Sequence, residues 1–224
     1  MGVAEDLVSE IKTLTADLIE AGLCNEQNFP TLTKGIGGSA EISFAGASDL
    51  SITLKNVSYG DVYTELRGTR SFNFYMLDGA LIQLQYFIKG GEVHKHRLAF
   101  FPSPDLTEYQ NNPDIYETDE IYTDVLMRNI VSVPIRFDFD REAFIEGDHP
   151  MSHLTLGQYK NCRIPVGGPL SPYLFLHFIL KSFYNTAFRQ CSNAITRFKS
   201  PFITTITQKE QEYVHVLAAP LAIG

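Results

Sequence analysis

Between Ser71 and Phe101 the chain has few ways to fold. Two runs rich in β-formers flank Asp78-Gly79, and Gly90-Gly91 follows the second run. Such pairs supply the left-handed backbone that tight two-residue hairpins need, and a type I′ turn is expected at Asp78-Gly79. The spacing predicts a three-stranded meander over about Phe72 to Leu77, Ala80 to Ile88 and Val93 to Phe101. Ile82, Leu84, Tyr86 and Ile88 alternate with Gln83, Gln85 and Phe87, so one face of this sheet is expected to be buried.

The flanking segments read as cover for that sheet and as extensions of it. Val3, Leu7, Ile11, Leu14 and Leu18 fall on one helical face, and Gly22 stands where the helix should stop. In Lys34-Gly35-Ile36-Gly37-Gly38-Ser39 the lysine comes first, whereas a phosphate loop closes on Gly-Lys-Ser/Thr at a helix start. These glycines therefore read as a turn before a strand at Ala40 to Phe44. Val131 to Asp140 alternates cleanly, and Ser152 to Leu156 with Cys162 to Val166 predicts a hairpin around Gly157. Ser171-Pro172 offers an N-cap and an N1 proline to a helix that is apolar nearly all round from Tyr173 to Phe188, hence central and buried. A last hairpin is expected over Phe202 to Thr207 and Glu212 to Ala218. The expected class is α+β: a largely antiparallel sheet packed against an N-terminal amphipathic helix and a buried C-terminal helix.

With 224 residues, 44% of them hydrophobic, the chain can fill one large core. The expected organisation is a single domain, 1–224, carrying an acidic loop or insertion at about 102–124. Seven carboxylates stand there (Asp105, Glu108, Asp114, Glu117, Asp119, Glu120, Asp124) without a lysine or arginine. A solvated loop is the default reading, and a docking patch for a basic protein partner the alternative. A net charge of -8 argues against bulk electrostatic binding of nucleic acid and leaves room only for a local basic patch. Cys24, Cys162 and Cys191 form no CxxC pair, which reads as reduced thiols in a cytoplasm. The first residues lack the basic and apolar regions of a signal peptide. The longest strongly apolar run, Tyr173 to Leu180, is far short of the ~20 residues of a membrane span. A cytoplasmic protein with no membrane contact is expected.

Strand periodicity then sorts the side chains after residue 130. If those strands pair as neighbours, Ile135, Phe137, Phe139, Leu154, Leu156, Cys162 and Ile164 share one face. The other face collects Arg136, Asp138, Asp140, His153, Thr155 and Arg163, with His149 at the mouth of the hairpin. Arginines grip phosphate and histidines move protons near neutral pH. His153, His149, Arg163 and Asp138 are thus the candidate catalytic residues, and Arg136, Thr155 and Asp140 the candidate substrate-binding ones. The plainer reading is a set of surface ion pairs at ~0–1 kcal/mol each, with His153 satisfying a backbone carbonyl and His177 a core histidine. His94 and His96 could form a metal pair but lack a third ligand at a diagnostic spacing, so no metal or cofactor is expected. His153-Leu154-Thr155-Leu156 matches only half of the two-histidine phosphoesterase signature. Asp138, Asp140 and Glu142 could suit a magnesium nuclease, but the customary lysine is missing from that stretch.

Asp78-Gly79-Ala80-Leu81-Ile82-Gln83-Leu84-Gln85-Tyr86, His96-Arg97-Leu98-Ala99-Phe100-Phe101-Pro102, Arg136-Phe137-Asp138, His149-Pro150, Ser152-His153-Leu154-Thr155, Arg163-Ile164-Pro165 and Phe178-Ile179-Leu180 with Phe183-Tyr184 resemble a bacterial domain-of-unknown-function family, number 2290. They cover about the last two-thirds of the chain. The resemblance implies a bacterial protein, loosely associated with mobile-element or phage-defence gene clusters, and it implies no catalytic residue. The function expected is binding or hydrolysis of a phosphodiester in nucleic acid or a nucleotide. The alternative is a non-catalytic subunit engaging a protein partner through the 102–124 segment or the aromatic-rich meander. A third reading is nucleic-acid binding through His94-Lys95-His96-Arg97.

Overall fold

The computed structural model describes residues 2–45, 57–105, 132–159, 161–200 and 202–218. Residues 106–131 fall outside that set, and with them most of the acidic segment and the partner reading attached to it.

Helix α1 spans Val3–Glu20. Its buried residues Ala4, Leu7, Ile11, Leu14 and Leu18 recur at the spacing of one helical face, and Gly22 ends the run with a φ of 69°. Three strands follow: β1 (Cys24–Gln27), β2 (Pro30–Lys34) and β3 (Ala40–Phe44). Helix α2 (Tyr59–Gly68) precedes the meander of β4 (Phe74–Met76), β5 (Leu81–Lys89) and β6 (Glu92–Phe101). Then come β7 (Ile135–Asp140), β8 (Ser152–Leu156), β9 (Ile164–Pro165), α3 (Pro172–Phe183) and α4 (Asn185–Cys191).

The strands form one antiparallel sheet with β5 at its fork. Along one edge β5 pairs with β6 over its whole length. Its other edge is shared, with β4 at Leu81 and Ile82 and β3 at Tyr86 to Ile88. Beyond β6 the ladder continues through β7 and β8 to β9. The expected type I′ turn sits at Gly90-Gly91, where both residues have positive φ, and not at Asp78-Gly79. There only Gly79 is left-handed, and its N–H reaches Met76 O at 3.0 Å, so a longer turn joins β4 to β5.

Both faces of the sheet are partly covered. On one face α1 and α3 bury a core that runs from Ala4 to Ile195 and includes Ile82, Leu84, Tyr86, Leu98, Phe137 and Phe139. On the other, α2 places Val62, Tyr63 and Leu66 over Leu81, Ala99 and Phe101. Alternation in β5 therefore fails at its start, where Gln83 is as buried as its apolar neighbours.

The C-terminal third departs from expectation twice. The apolar helix stops at Phe183, because Tyr184 leaves helical geometry (φ -130°, ψ 46°) and its hydroxyl donates to Asp78 Oδ1 at 2.7 Å. No hairpin forms among residues 202–218. Instead the two segments flank the residues after β9: Thr205 N–H donates to Gly167 O, while Gly167 N–H donates to Val216 O. Gly167 and Gly168 permit this, since a Cβ on Gly168 would sit 2.7 Å from Ile203 O. Among the described residues no helix is long and apolar enough to cross a membrane.

Candidate functional site

Strand register decides which side chains meet on the α2 face. Glu41, Phe87, Lys95 and Asp140 stand side by side across β3, β5, β6 and β7. Gln85, Arg97, Asp138 and His153 form the next row, and Gln83, Ala99, Arg136 and Thr155 the third. Helix α2 covers the Ala99 end, and the remainder borders a cavity of about 470 Å³. All seven residues singled out from the sequence line it: His149, His153, Arg163, Asp138, Arg136, Thr155 and Asp140. Lys95 and Arg97 of β6, with Gln85 and Phe87 of β5, were not anticipated there. Alternation puts Lys95 and Arg97 on one side of β6, and the pairing of β6 with β7 brings that side to this face. The His94-Lys95-His96-Arg97 cluster is split instead: Lys95 and Arg97 join the cavity, while the His96 ring packs on Tyr86 and Phe139.

Asp138 lies at the centre of the charges. Arg97 Nε is 3.6 Å from its carboxylate, Arg136 Nε 3.7 Å and His153 Nε2 3.9 Å. These are ion-pair separations, too long for hydrogen bonds. Lys95 is engaged by Asp140 at 3.2 Å and Glu142 at 3.3 Å. Arg97, Arg136 and Arg163 donate no hydrogen bond to any described residue, and the Arg136 Nε is buried. Guanidinium donors rarely stay unused when buried, because each costs about 1–3 kcal/mol without an acceptor.

The two histidines are held differently. His153 is 6% exposed, and its Nδ1 donates to Pro150 O at 3.2 Å, which leaves Nε2 turned to Asp138. Burial lowers its pKa below the usual histidine range, with Asp138 pulling the other way. With Nδ1 donating to Pro150, Nε2 is the ring nitrogen left to take a proton. His149 meets it edge-on at 4.9 Å between ring centroids, and the His149 Nδ1 is buried without a hydrogen-bond partner among the described residues. His96 is more deeply buried still. Its Nε2 accepts from Leu170 N–H at 3.0 Å, and burial pushes its pKa down to about 4. It is a core residue.

Among the described residues no three His, Cys, Asp or Glu side chains are grouped to hold a metal ion. The lysine lacking near Asp138 in sequence arrives from β6 as Lys95, which pairs with Asp140 and Glu142.

Residues 23–218 match the model of a family described as an uncharacterized conserved protein (DUF2290). No curated protein and no solved structure matches the chain.

Proposed function

We propose, for a chain that belongs to the uncharacterized conserved protein family DUF2290, that its polar sheet face binds a phosphodiester of a nucleotide or nucleic acid and hydrolyses it. The observation that carries this reading is the convergence of Arg97, Arg136 and Arg163, none spending a hydrogen bond on a described residue, with two histidines in edge-on contact. Arginine forks match the planar pairs of phosphate oxygens and stabilise charge that grows on them. His153 Nε2 takes a proton from the attacking water as the new P–O bond forms. The bond to the leaving oxygen breaks, and His149, as general acid, supplies that oxygen's proton. Asp138 stabilises the imidazolium formed on His153.

His153→Asn separates chemistry from folding. The Asn Nδ2 can keep the donor to Pro150 O while Nε2 is lost. With bis-p-nitrophenyl phosphate and a labelled oligonucleotide as substrates, turnover should fall ~10²–10⁴-fold with the melting temperature nearly unchanged. Arg163→Ala should weaken both turnover and substrate binding. Wild-type binding without turnover would leave a ligand-binding subunit, and wild-type failure in both would remove the proposal.

A further inference from the structure

We infer that the ligand is a single nucleic-acid strand laid across the sheet, its unpaired bases stacked on Phe87 and Tyr159. The inference rests on the phosphodiester reading above and names its substrate class.

The cavity runs from Glu41 and Phe87, where β3 meets β5, to Arg163 and Tyr159 beyond β8. Crossing β3, β5, β6, β7 and β8 takes four strand spacings of ~4.8 Å, roughly 19 Å in all. Stacked nucleotides rise only ~3.4 Å each, so the floor has room for several. A mononucleotide would leave one end empty.

An aromatic ring lies at each end. Phe87 is half-buried on the polar side of β5, in register with Lys95 and Asp140, where solvation alone would favour a polar residue. Tyr159 is 76% exposed. Its ring lies along Gly157, which has a φ of 66° and whose added Cβ would stand 3.5 Å from that ring. Arg97 on β6 and Arg136 on β7 lie between the two rings in strand order, and Arg163 stands at the Tyr159 end. Cations along a floor with aromatic faces at intervals suit a single strand, because every base has a π-face whatever its sequence. Paired bases keep those faces hidden in the stack, so a duplex could use the arginines but not the rings. With a net charge of -8, the molecule offers no general attraction that would hold a polyanion elsewhere on its surface.

The test is fluorescence anisotropy on the full chain. Its probe is a labelled strand of about eight nucleotides, as RNA and as DNA, against the same strand in duplex, a nucleoside monophosphate, a phosphopeptide and inorganic phosphate. The strand should bind at least ~10-fold tighter than the duplex or the monophosphate. Phe87→Ala and Tyr159→Ala should each lower the ratio of strand to inorganic-phosphate affinity ~5-fold or more, as expected for loss of one stacked base. Tyr159→Phe should restore it. Equal binding of monophosphate or duplex, tighter binding of the phosphopeptide, or an unchanged ratio in both alanine variants overturns the strand while leaving Arg136-dependent phosphate binding in place. If no probe binds and Arg136→Ala changes nothing, the phosphodiester reading falls as well.

Discussion

Two buried residues titrate in opposite directions. Glu10, on α1, is 5% exposed and accepts Tyr173 N–H at 2.8 Å at the start of α3. Burial raises its pKa to about 7 from an ordinary 4.5, more than that hydrogen bond can offset. The folded chain thus holds this proton more tightly than the unfolded chain. Its stability is full below pH 4.5 and declines as the pH rises to about 7, by roughly 3 kcal/mol. Glu10→Gln keeps an oxygen for Tyr173 and removes the charge. Urea melts should show the variant gaining on the wild type from pH 4.5 to 7 and then levelling. A constant difference would mean that Glu10 ionises as an exposed glutamate does. For His96 the sign reverses. Its pKa lies near 4 against an ordinary 6.5, so the unfolded chain takes the proton first and stability is lost as pH falls through that window. Neither shift was legible in sequence, because burial of a polar side chain is set by what packs on it. His96 reads there as half of a metal pair.

Among the elements, those with local signals were read well and those defined by partners were not. The meander, the β8–β9 hairpin and the capped start of α3 follow from alternation, glycine turns and Ser171, whose side chain accepts Leu174 N–H at 3.3 Å. β1, β2 and α2 are short or weakly patterned and owe their places to β4, β3 and the second sheet face. The missing C-terminal hairpin is the clearest case. Residues 202–207 and 212–218 are rich in β-formers, yet their partner is Gly167, reached from either side. Gly168→Ala tests that arrangement. Its Cβ would press to 2.7 Å from Ile203 O, so thermal unfolding should show a loss of ~1–3 kcal/mol as the strap is displaced. Unchanged stability would mean the strap contributes little.

At the scale of the whole molecule, that strap closes the core. Phe202, Val216 and Ala218 pack against the cluster built by α1, α3 and the sheet, and the Phe202 ring lies 6.5 Å from Tyr86. Deleting residues 202 onward should lower the melting temperature by several degrees (~1 kcal/mol shifts a domain of this size ~2–4 °C), and the transition should broaden. An unchanged, sharp transition would show the core complete without it. The cavity is equally a product of assembly. From alternation the sequence determined that Arg136, Asp138 and Asp140 share one side of β7 and His153 and Thr155 one side of β8, because successive strand side chains must point to opposite sides. It also determined an α+β chain with an antiparallel meander, since turn glycines and β-branched runs act over a few residues. Only the tertiary structure decided that β6 adds Lys95 and Arg97 to that face and that α2 covers one end and leaves the other open. Strand order, register and the cover on a sheet are settled by contacts between residues far apart in the chain, and no local pattern records them.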